Sequence, residues 1–453
     1  MLLPPLRRPD LADETEAELY RKLTQCVRCG ICLATCPTYR ELIDEADSPR
    51  GRLSLLRAFH EGEGDLTHEL HRFLYGCLEC RACETACPNN VVFHEVMEWG
   101  RHRLAEADLL PRSGRFFKNL FLRRVFRSAR SLDRLMAILR FYQKSGLRTL
   151  VRFTRILKLF PWHLAELEDL MPRRLGRHRP VRKKETYTLE PEGEVRGSVM
   201  FFTGCIADHW LQGANHATVR LLLKAGFAVT VPAAQQCCGA LHVHLGEPEI
   251  GRELARENIE VFDSEGNDLI VSNSAGCGAV MKEYSRLLEG DADYAERAAA
   301  FSARVRDISE LLASLDGALP TPAPFHKRVV YDDPCHLIHG QGISEQPREL
   351  LRRIPGIELV ELPEADWCCG SAGVYNLINY EMSMKLLERK LENIRRTGAQ
   401  VVVTANPGCL LQLRAGVFRA NINTEILHIA FLLDYLLSKE HLLSFYSGTI
   451  TWR

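Results

Sequence analysis

The sequence predicts an α+β multidomain protein, with a mostly helical domain at the amino end followed by two copies of an α/β domain with parallel strands. Three observations predict it. Eight cysteines fall in two copies of one spacing, Cys26-x2-Cys29-x2-Cys32-x3-Cys36-Pro37 and Cys77-x2-Cys80-x2-Cys83-x3-Cys87-Pro88, with helical patterns between and around them. From Val199 onward, short apolar runs alternate with helical patterns, as in parallel strands joined by crossover helices that cover both faces of a sheet. The other eight cysteines recur at nearly equal steps in the two halves of that region.

The 453 residues, 46% hydrophobic and 26% charged, suffice for about three compact domains and are not those of a disordered or fibrous chain. Residues 1–14 read as a tail. Met1 to Asp10 holds Leu2, Leu3 and Leu6 but also three prolines and two arginines, so it supplies neither a signal-peptide core nor a cleavage site. Sixteen cysteines without a secretory signal point to a reducing compartment, and a bacterial-type cytoplasm is expected. No run of eighteen apolar residues occurs, so no membrane-spanning helix is expected.

Residues 15–110 read as a helical domain built on the two cysteine loops. Helical patterns cover Thr15–Leu23, Leu53–His60, Leu66–Tyr75 and Val91–Leu104, with Thr15 and Glu18 as a capping box for the first. In each loop, three thiols spaced by two residues can point onto three corners of a cubane iron-sulfur cluster, while the fourth lies too far along the chain to close the same cage. Cys26, Cys29, Cys32 and Cys87 are therefore expected to hold one 4Fe-4S cluster, and Cys36, Cys77, Cys80 and Cys83 a second. Zinc sites made of paired C-x2-C steps need only four ligands and leave the third cysteine of each run redundant. The forty residues between Cys36 and Cys77 are long for a minimal two-cluster ferredoxin and read as two helices, giving a mostly helical ferredoxin-type domain. Pro37 and Pro88 lack a backbone donor and end each loop.

Residues 111–195 are a basic segment. Between Arg112 and Lys184 there are 21 Lys and Arg against four acids, which leaves 37 basic against 54 acidic residues elsewhere in a chain of net charge zero. Apolar residues at helical spacing, such as Phe117, Leu120 and Phe121, then Leu132, Leu135, Met136 and Leu139, then Leu147, Leu150, Val151 and Leu157, give amphipathic helices with arginines on the other faces. Such helices can lie on an anionic membrane surface, or pack their stripe on their own domain or a partner subunit. Nucleic acid is not expected as a partner. Pro172 to Lys184 pairs turn formers with seven basic residues and reads as an exposed linker.

Residues 196–320 and 325–440 read as the two repeats. Strands are expected at Val199–Phe202, Phe227–Val231, Leu269–Val271, Val329–Tyr331, Ile357–Leu362 and Val401–Thr404. The first repeat carries Cys205, then Cys237-Cys238-Gly239, then Cys277; the second carries Cys335, then Cys368-Cys369-Gly370, then Cys409. The steps are 32 and 39 residues in one and 33 and 40 in the other. Each of these cysteines follows a strand by a few residues. Loops at the carboxyl ends of parallel strands line one crevice, so four thiols per repeat should meet there. A single buried cysteine is usually a small core hydrophobe, but near-identical duplication argues for a metal site. Soft thiolates in fours select an iron-sulfur cluster or zinc, with a redox-active dithiol at each Cys-Cys step as the other reading. Asp208, His209, His242, His244, Asp333 and His336 lie close by in sequence as further donors.

With Cys29-Gly30, Leu33-Ala34-Thr35-Cys36-Pro37-Thr38-Tyr39, Asp47-Ser48-Pro49-Arg50-Gly51-Arg52 and Asn406-Pro407-Gly408-Cys409-Leu410-Leu411-Gln412, the chain resembles the iron-sulfur subunits of bacterial glycolate oxidase. The resemblance covers the ferredoxin region and both repeats, and leaves only the basic middle outside it. It implies a complex in which separate FAD-containing subunits oxidise glycolate to glyoxylate and the iron-sulfur subunit passes flavin electrons on toward quinone. Similar repeats occur in iron-sulfur subunits of glycerol-3-phosphate dehydrogenase, of lactate-utilisation systems and of heterodisulfide reductase. In the last of these the repeat ends in C-x2-C, whereas Val280 and Gln412 stand at the second-cysteine positions here.

The expected function is therefore electron transfer within a flavin-dependent 2-hydroxy-acid dehydrogenase complex in the cytoplasm, with the basic helices meeting either the inner membrane or a partner subunit, or packing on their own domain. Gly340-Gln341-Gly342, with Glu345 where a third glycine would stand, is no dinucleotide fingerprint. Substrate chemistry is thus expected from a partner. The rival expectation is a catalytic subunit that reduces a disulfide at the cysteine crevice.

Overall fold

The computed structural model describes residues 14–107, 109, 115, 118–154, 156–159, 168, 180–266, 268–315, 317 and 319–438. The expected tail, Phe117 and most of the linker before residue 180 lie outside them. The chain forms two compact units, one of Met1–Arg123 with Ala240–Gly251, the other of Arg124–Gly239 with Arg252–Arg453.

The first unit contains α1 (Glu14–Thr24), α2 (Ile31–Thr35), α3 (Pro37–Leu42), α4 (Pro49–His60), α5 (His68–Tyr75), α6 (Ala82–Thr85) and α7 (Phe93–Glu106). Ser48 starts α4 by accepting a hydrogen bond from Gly51 N at 2.9 Å, and Pro49 at the first helical position loses no bond by lacking its N–H. Thr67 caps α5 in the same way through Leu70 N at 3.0 Å. Because α1 already contains Glu14, Thr15 lies within the helix, and the cap expected there falls outside the described residues. Leu53, Leu56, Leu70, Leu74, Val96, Met97 and Leu104 form the core of the unit. Gly100 lets α7 approach α4, since a Cβ there would stand 2.5 Å from Leu56 Cδ2.

In the second unit the basic segment supplies α8 (Ala129–Lys144) and α9 (Leu147–Thr154). Leu132 and Met136 of α8 are buried, with Trp210 Nε1 donating to Met136 Sδ at 2.9 Å. Ile138, Phe141, Leu147, Leu150 and Phe153 stay exposed. The stripe therefore packs only in part on its own domain.

The first repeat holds β1 (Tyr187–Leu189), β2 (Gly197–Phe202), β3 (Phe227–Val231), β4 (Leu269–Ser272) and β5 (Val305–Asp307), in the order β1-β3-β2-β4-β5. The second holds β6 (Arg328–Tyr331), β7 (Glu358–Leu359), β8 (Val401–Thr404) and β9 (Glu425–His428), in the order β7-β6-β8-β9. Val199 pairs with Val229 and Leu269, and Val329 with Leu359 and Val401, all parallel. Among the described strands only β1 runs antiparallel, with Tyr187 opposite Val231. Val199 to Phe202 and Val401 to Val403 are 0% exposed, which is why these strands read as continuous apolar runs. The two repeats share one core, in which Val199, Phe201 and Val229 join Val329, Tyr331, Val401 and Ile429. Arg220 Nε and Lys224 Nζ of the first repeat also meet Asp434 of the second, at 2.8 and 3.2 Å.

Candidate functional site

The two cysteine loops of the first unit share one backbone shape. The residues on either side of each loop's second cysteine, Arg28 and Gly30 in one and Glu79 and Arg81 in the other, take φ of 57°, 86°, 51° and 64°. Three of these four are not glycine, so each loop stores left-handed strain in order to roll its thiols inward. Cys26, Cys29, Cys32 and Cys87 line a cavity of about 320 Å³ with Arg50 and Pro88. Cys36, Cys77, Cys80 and Cys83 line another of about 380 Å³ with Arg52, Glu79, Phe93 and His94. The fourth cysteine of each run thus lies in the other run's cavity. Cys29 is exposed, whereas Cys36 and Cys80 are buried, so the first cavity is the outer one.

Buried charge braces the inner cavity. Arg52, 1% exposed, donates Nε to Phe73 O at 2.8 Å, Nη1 to Thr38 Oγ1 at 3.1 Å and Nη2 to Asp47 Oδ1 at 3.0 Å. This gives the Asp47-Ser48-Pro49-Arg50-Gly51-Arg52 stretch a structural task. Arg101 donates to Cys77 O at 2.6 Å and to Leu74 O at 2.8 Å, and pairs with Glu79 at 2.9 Å. His244 lies 3.0 Å from Glu79 and 3.3 Å from Glu98. Burial alone would lower its pKa, but the Glu79 and Glu98 carboxylates outweigh that and hold it at about 10.

In the repeats the cysteines follow the carboxyl ends of three adjacent strands, β3-β2-β4 in the first and β7-β6-β8 in the second, where the chain order reverses. Cys205 Sγ lies 3.6 Å from Cys237 Sγ, and the Cys238 thiol hydrogen-bonds with Cys237 and Cys277. In the second repeat Cys368 bonds with Cys335 and Cys369, and Cys369 with Cys409. Each set of four is therefore brought together. A cavity of about 280 Å³ beside Cys205 and Cys237 is lined by Ala129 and Leu132 of α8 together with Arg182, Asp208 and His209.

Of the further donors, Asp208 and His209 line that cavity, and His336 lies beside Gly276. Asp208 accepts from Val181 N at 3.0 Å, and burial pushes its pKa up to about 6. His209 Nε2 lies 3.0 Å from Asp133. Asp333 is held by Arg348 at 2.6 Å. His242 and His244 fold with the first unit, where His242 Nε2 donates to Leu122 O at 2.9 Å. Gly342 ends the helix Cys335–Gln341 at φ 69°, which accounts for the lone G-x-G. Val280 is a buried apolar residue, and Gln412 is engaged with Ser383 Oγ and Asn376.

All sixteen cysteines are unbridged. Among the described residues no three His, Cys, Asp or Glu side chains converge as they would on a single ion. The thiols of the first unit instead ring two spaces, as soft ligands to a polynuclear group do. Burial pushes the Cys32 thiol up to about 11 and raises Cys77 and Cys83 too, and a bound cation would favour their thiolate form. The residues present fit iron-sulfur clusters.

Sequence patterns gave no sign of Arg101, Lys390 or Asp332, which are buried charges in contexts that read as solvated helix or strand end.

The family described as 4Fe-4S dicluster domain matches residues 22–91, and Cysteine-rich domain matches 199–282 and 329–414. Residues 113–171 match the glycolate oxidase iron-sulfur subunit, linker region. This corrects the expectation that the basic middle lies outside the resemblance. Arginine-rich amphipathic helices look generic, and nothing in their composition marks a family. The chain is 38% identical over 420 residues to a probable glycolate oxidase iron-sulfur subunit of Bacillus subtilis, covering 91% of this chain and 93% of that one. It is 31% identical to the glycolate oxidase iron-sulfur subunit of Escherichia coli, covering 92% and 95%. A crystal structure of a hypothetical protein from Helicobacter pylori shares the fold, with a TM-score of 0.50 at 10% identity over 85% of this chain and 68% of that one. Thiol-ringed cavities at the amino end, paired cysteine crevices and full-length likeness agree, and the chain belongs to the family of glycolate oxidase iron-sulfur subunits.

Proposed function

We propose that this chain is the electron-transfer subunit of a flavin-dependent 2-hydroxy-acid dehydrogenase complex that oxidises glycolate to glyoxylate. Partner FAD subunits carry out the substrate chemistry, and this chain relays their electrons toward quinone. The observation that carries the reading is the pair of cavities in the first unit, each ringed by three thiols of one motif and one of the other. Clusters held there supply one-electron steps between a two-electron flavin and the acceptor. Cys26, Cys29, Cys32 and Cys87 hold the outer one, and Cys36, Cys77, Cys80 and Cys83 the inner one. The thiols of the repeats hold further iron-sulfur groups rather than zinc.

The residues around the thiols set access and electrostatics. Val27 and Ile31, 67% and 52% exposed, flank the exposed Cys29, and this apolar rim suits a docking partner that must bring its flavin close. Arg52 and Arg101, each paired with a buried carboxylate, hold the backbone beside the inner cavity in place. Among the described residues no helix is long and apolar enough to cross a membrane. The exposed Phe141, Leu150 and Phe153, set among arginines of α8 and α9, are the surface proposed to meet an anionic bilayer.

Anaerobic co-purification with iron, sulfide and zinc counted, followed by a glycolate assay with an artificial acceptor, tests the reading. The complex should turn over and the isolated chain should not. Turnover by the isolated chain, or zinc in place of iron and sulfide, would overturn it.

A further inference from the structure

The two repeats are built alike, so differences around their thiols show up position by position. Lys390 stands 19 residues before Cys409, and Asn258 stands 19 before Cys277. Asn406 and Ser274 stand three residues before the same two cysteines. Three residues before Cys335 is Asp332, and three before Cys205 is Phe202.

Lys390 is 0% exposed, on the helix Tyr380–Thr397. Its ammonium pairs with Asp332 at 2.9 Å and donates to Glu364 O at 2.9 Å and Ala365 O at 2.8 Å, on the loop that leads into Cys368-Cys369. Leu387 and Leu391 of the same helix pack in one apolar cluster with Cys369 and Cys409, so this cation is held at the back of the thiols in a low-dielectric setting. Asn258 at the matching position is neutral, donating to Cys237 O at 3.0 Å and accepting from Gln236 N at 2.9 Å. Phe202 is apolar and fully buried.

Asn406 makes a second difference. Its Nδ2 donates to Cys409 Sγ at 3.5 Å, while its Oδ1 accepts from Gly276 N at 3.2 Å. The bond from Gly276 fixes which way the amide points, and so commits its N–H to sulfur. Ser274 at the matching position carries no amide.

A nearby cation and an N–H donor to sulfur both stabilise the more negative, reduced state of a thiolate-bound cluster. Asp332, which also accepts from Thr404 Oγ1 at 3.1 Å, offsets part of the lysine's field, whereas the neutral Asn406 amide gives its hydrogen bond directly to Cys409 Sγ. We infer that the two repeats hold redox groups of unequal potential, the second repeat's being the higher, with Lys390 and Asn406 as the residues that raise it. This rests on the reading that each repeat carries an iron-sulfur group. One electron then leaves the first repeat's group and reduces the second's, with no bond made or broken and no proton required. Cys277, Gly276, the Asn406 amide and Cys409 form a continuous bonded and hydrogen-bonded route for it.

An anaerobic redox titration of the full chain, followed by electron paramagnetic resonance with iron and sulfide counted, tests the inference. Two signals should be separable, one lost in Cys277→Ala and the other, at higher potential, lost in Cys409→Ala. Asn406→Ser and Lys390→Asn, which install the first repeat's residues, should each lower only the higher potential, and Ser274→Asn should raise the lower one. Equal potentials at full iron content, or Asn406→Ser and Ser274→Asn that move neither, would overturn the inference while leaving cluster binding intact. Iron content unchanged in both cysteine variants would overturn the underlying reading as well.

Discussion

Glu79 and Arg101 form an ion pair of 2.9 Å with side chains only 3% and 5% exposed, in a loop whose neighbouring cysteines line the inner cavity. Glu79 is held at φ 51° between Cys77 and Cys80, and Arg101 also binds the carbonyl of Cys77. The pair fixes the loop from both its side chain and its backbone. Removing the arginine leaves a buried carboxylate without its main counter-charge, which typically costs about 3–5 kcal/mol. Arg101→Met should therefore lower the melting temperature and release iron from the inner cavity before the outer one. Calorimetry with iron release followed by absorbance checks this, and unchanged retention would contradict it.

The exchange of fourth thiols predicts a crossed pattern of damage. Cys87→Ala should abolish the same spectroscopic signal as Cys26→Ala, although the two positions belong to different motifs. Cys36→Ala should match Cys77→Ala. Each variant should lose about four irons, one cubane's complement. A variant whose loss follows its own motif would contradict the assignment.

Gly51 is a steric requirement. A Cβ there would stand 1.8 Å from Glu45 O, which is backbone and cannot swing aside. Gly51→Ala should displace the start of α4 and with it Arg52, at a cost of about 1–3 kcal/mol or more. Chemical denaturation of the variant measures it, and a midpoint within error of the parent would refute the strain.

His428 makes acid sensitivity a property of the second unit. Its Nε2 donates to Asn273 O at 2.9 Å and its Nδ1 accepts from Ala430 N at 3.2 Å, an arrangement only the neutral ring allows. Burial lowers its pKa from the ordinary 6.5 to about 4. Between those values the unfolded chain binds a proton that the folded chain does not. This contribution to stability is therefore intact above about pH 6.5 and is lost as the pH falls toward 4. His428→Gln should be less stable at pH 7.5 but lose less on going to pH 5, as melting curves at the two pH values would show. Parallel losses in both proteins would exclude His428 as the source.

Much of this organisation could be read in the sequence, for reasons that differ between its parts. Cysteine spacing is a local geometric constraint, so the pattern separates three near thiols from a distant fourth, and the cavities group them in the same way. The buried strands Phe227–Val231 and Val401–Thr404 stood out because burial on both faces leaves no polar alternation. Val305–Asp307 did not, because a three-residue edge strand carrying Arg306 and ending in a helix cap has no apolar run to show. The strand expected at Ile357–Leu362 shrinks to Glu358–Leu359, since it too lies at an edge. Lys390 was illegible because Lys385, Arg389, Arg395 and Arg396 on the same helix look alike in sequence, and only tertiary packing selects the one that is enclosed.

The chain leaves the first repeat directly after Cys237-Cys238-Gly239, folds residues 240–251 with the amino-terminal unit, and then returns. Tyr75 Oη donates to Leu245 O at 3.1 Å, Arg101 Nη1 to His244 O at 2.6 Å, and Lys118 meets Glu247 at 2.7 Å. During synthesis the first half therefore emerges from the ribosome unfinished. Residues 240–251 are made more than a hundred residues after Arg123, so the amino-terminal unit completes its packing only once that late stretch has been added.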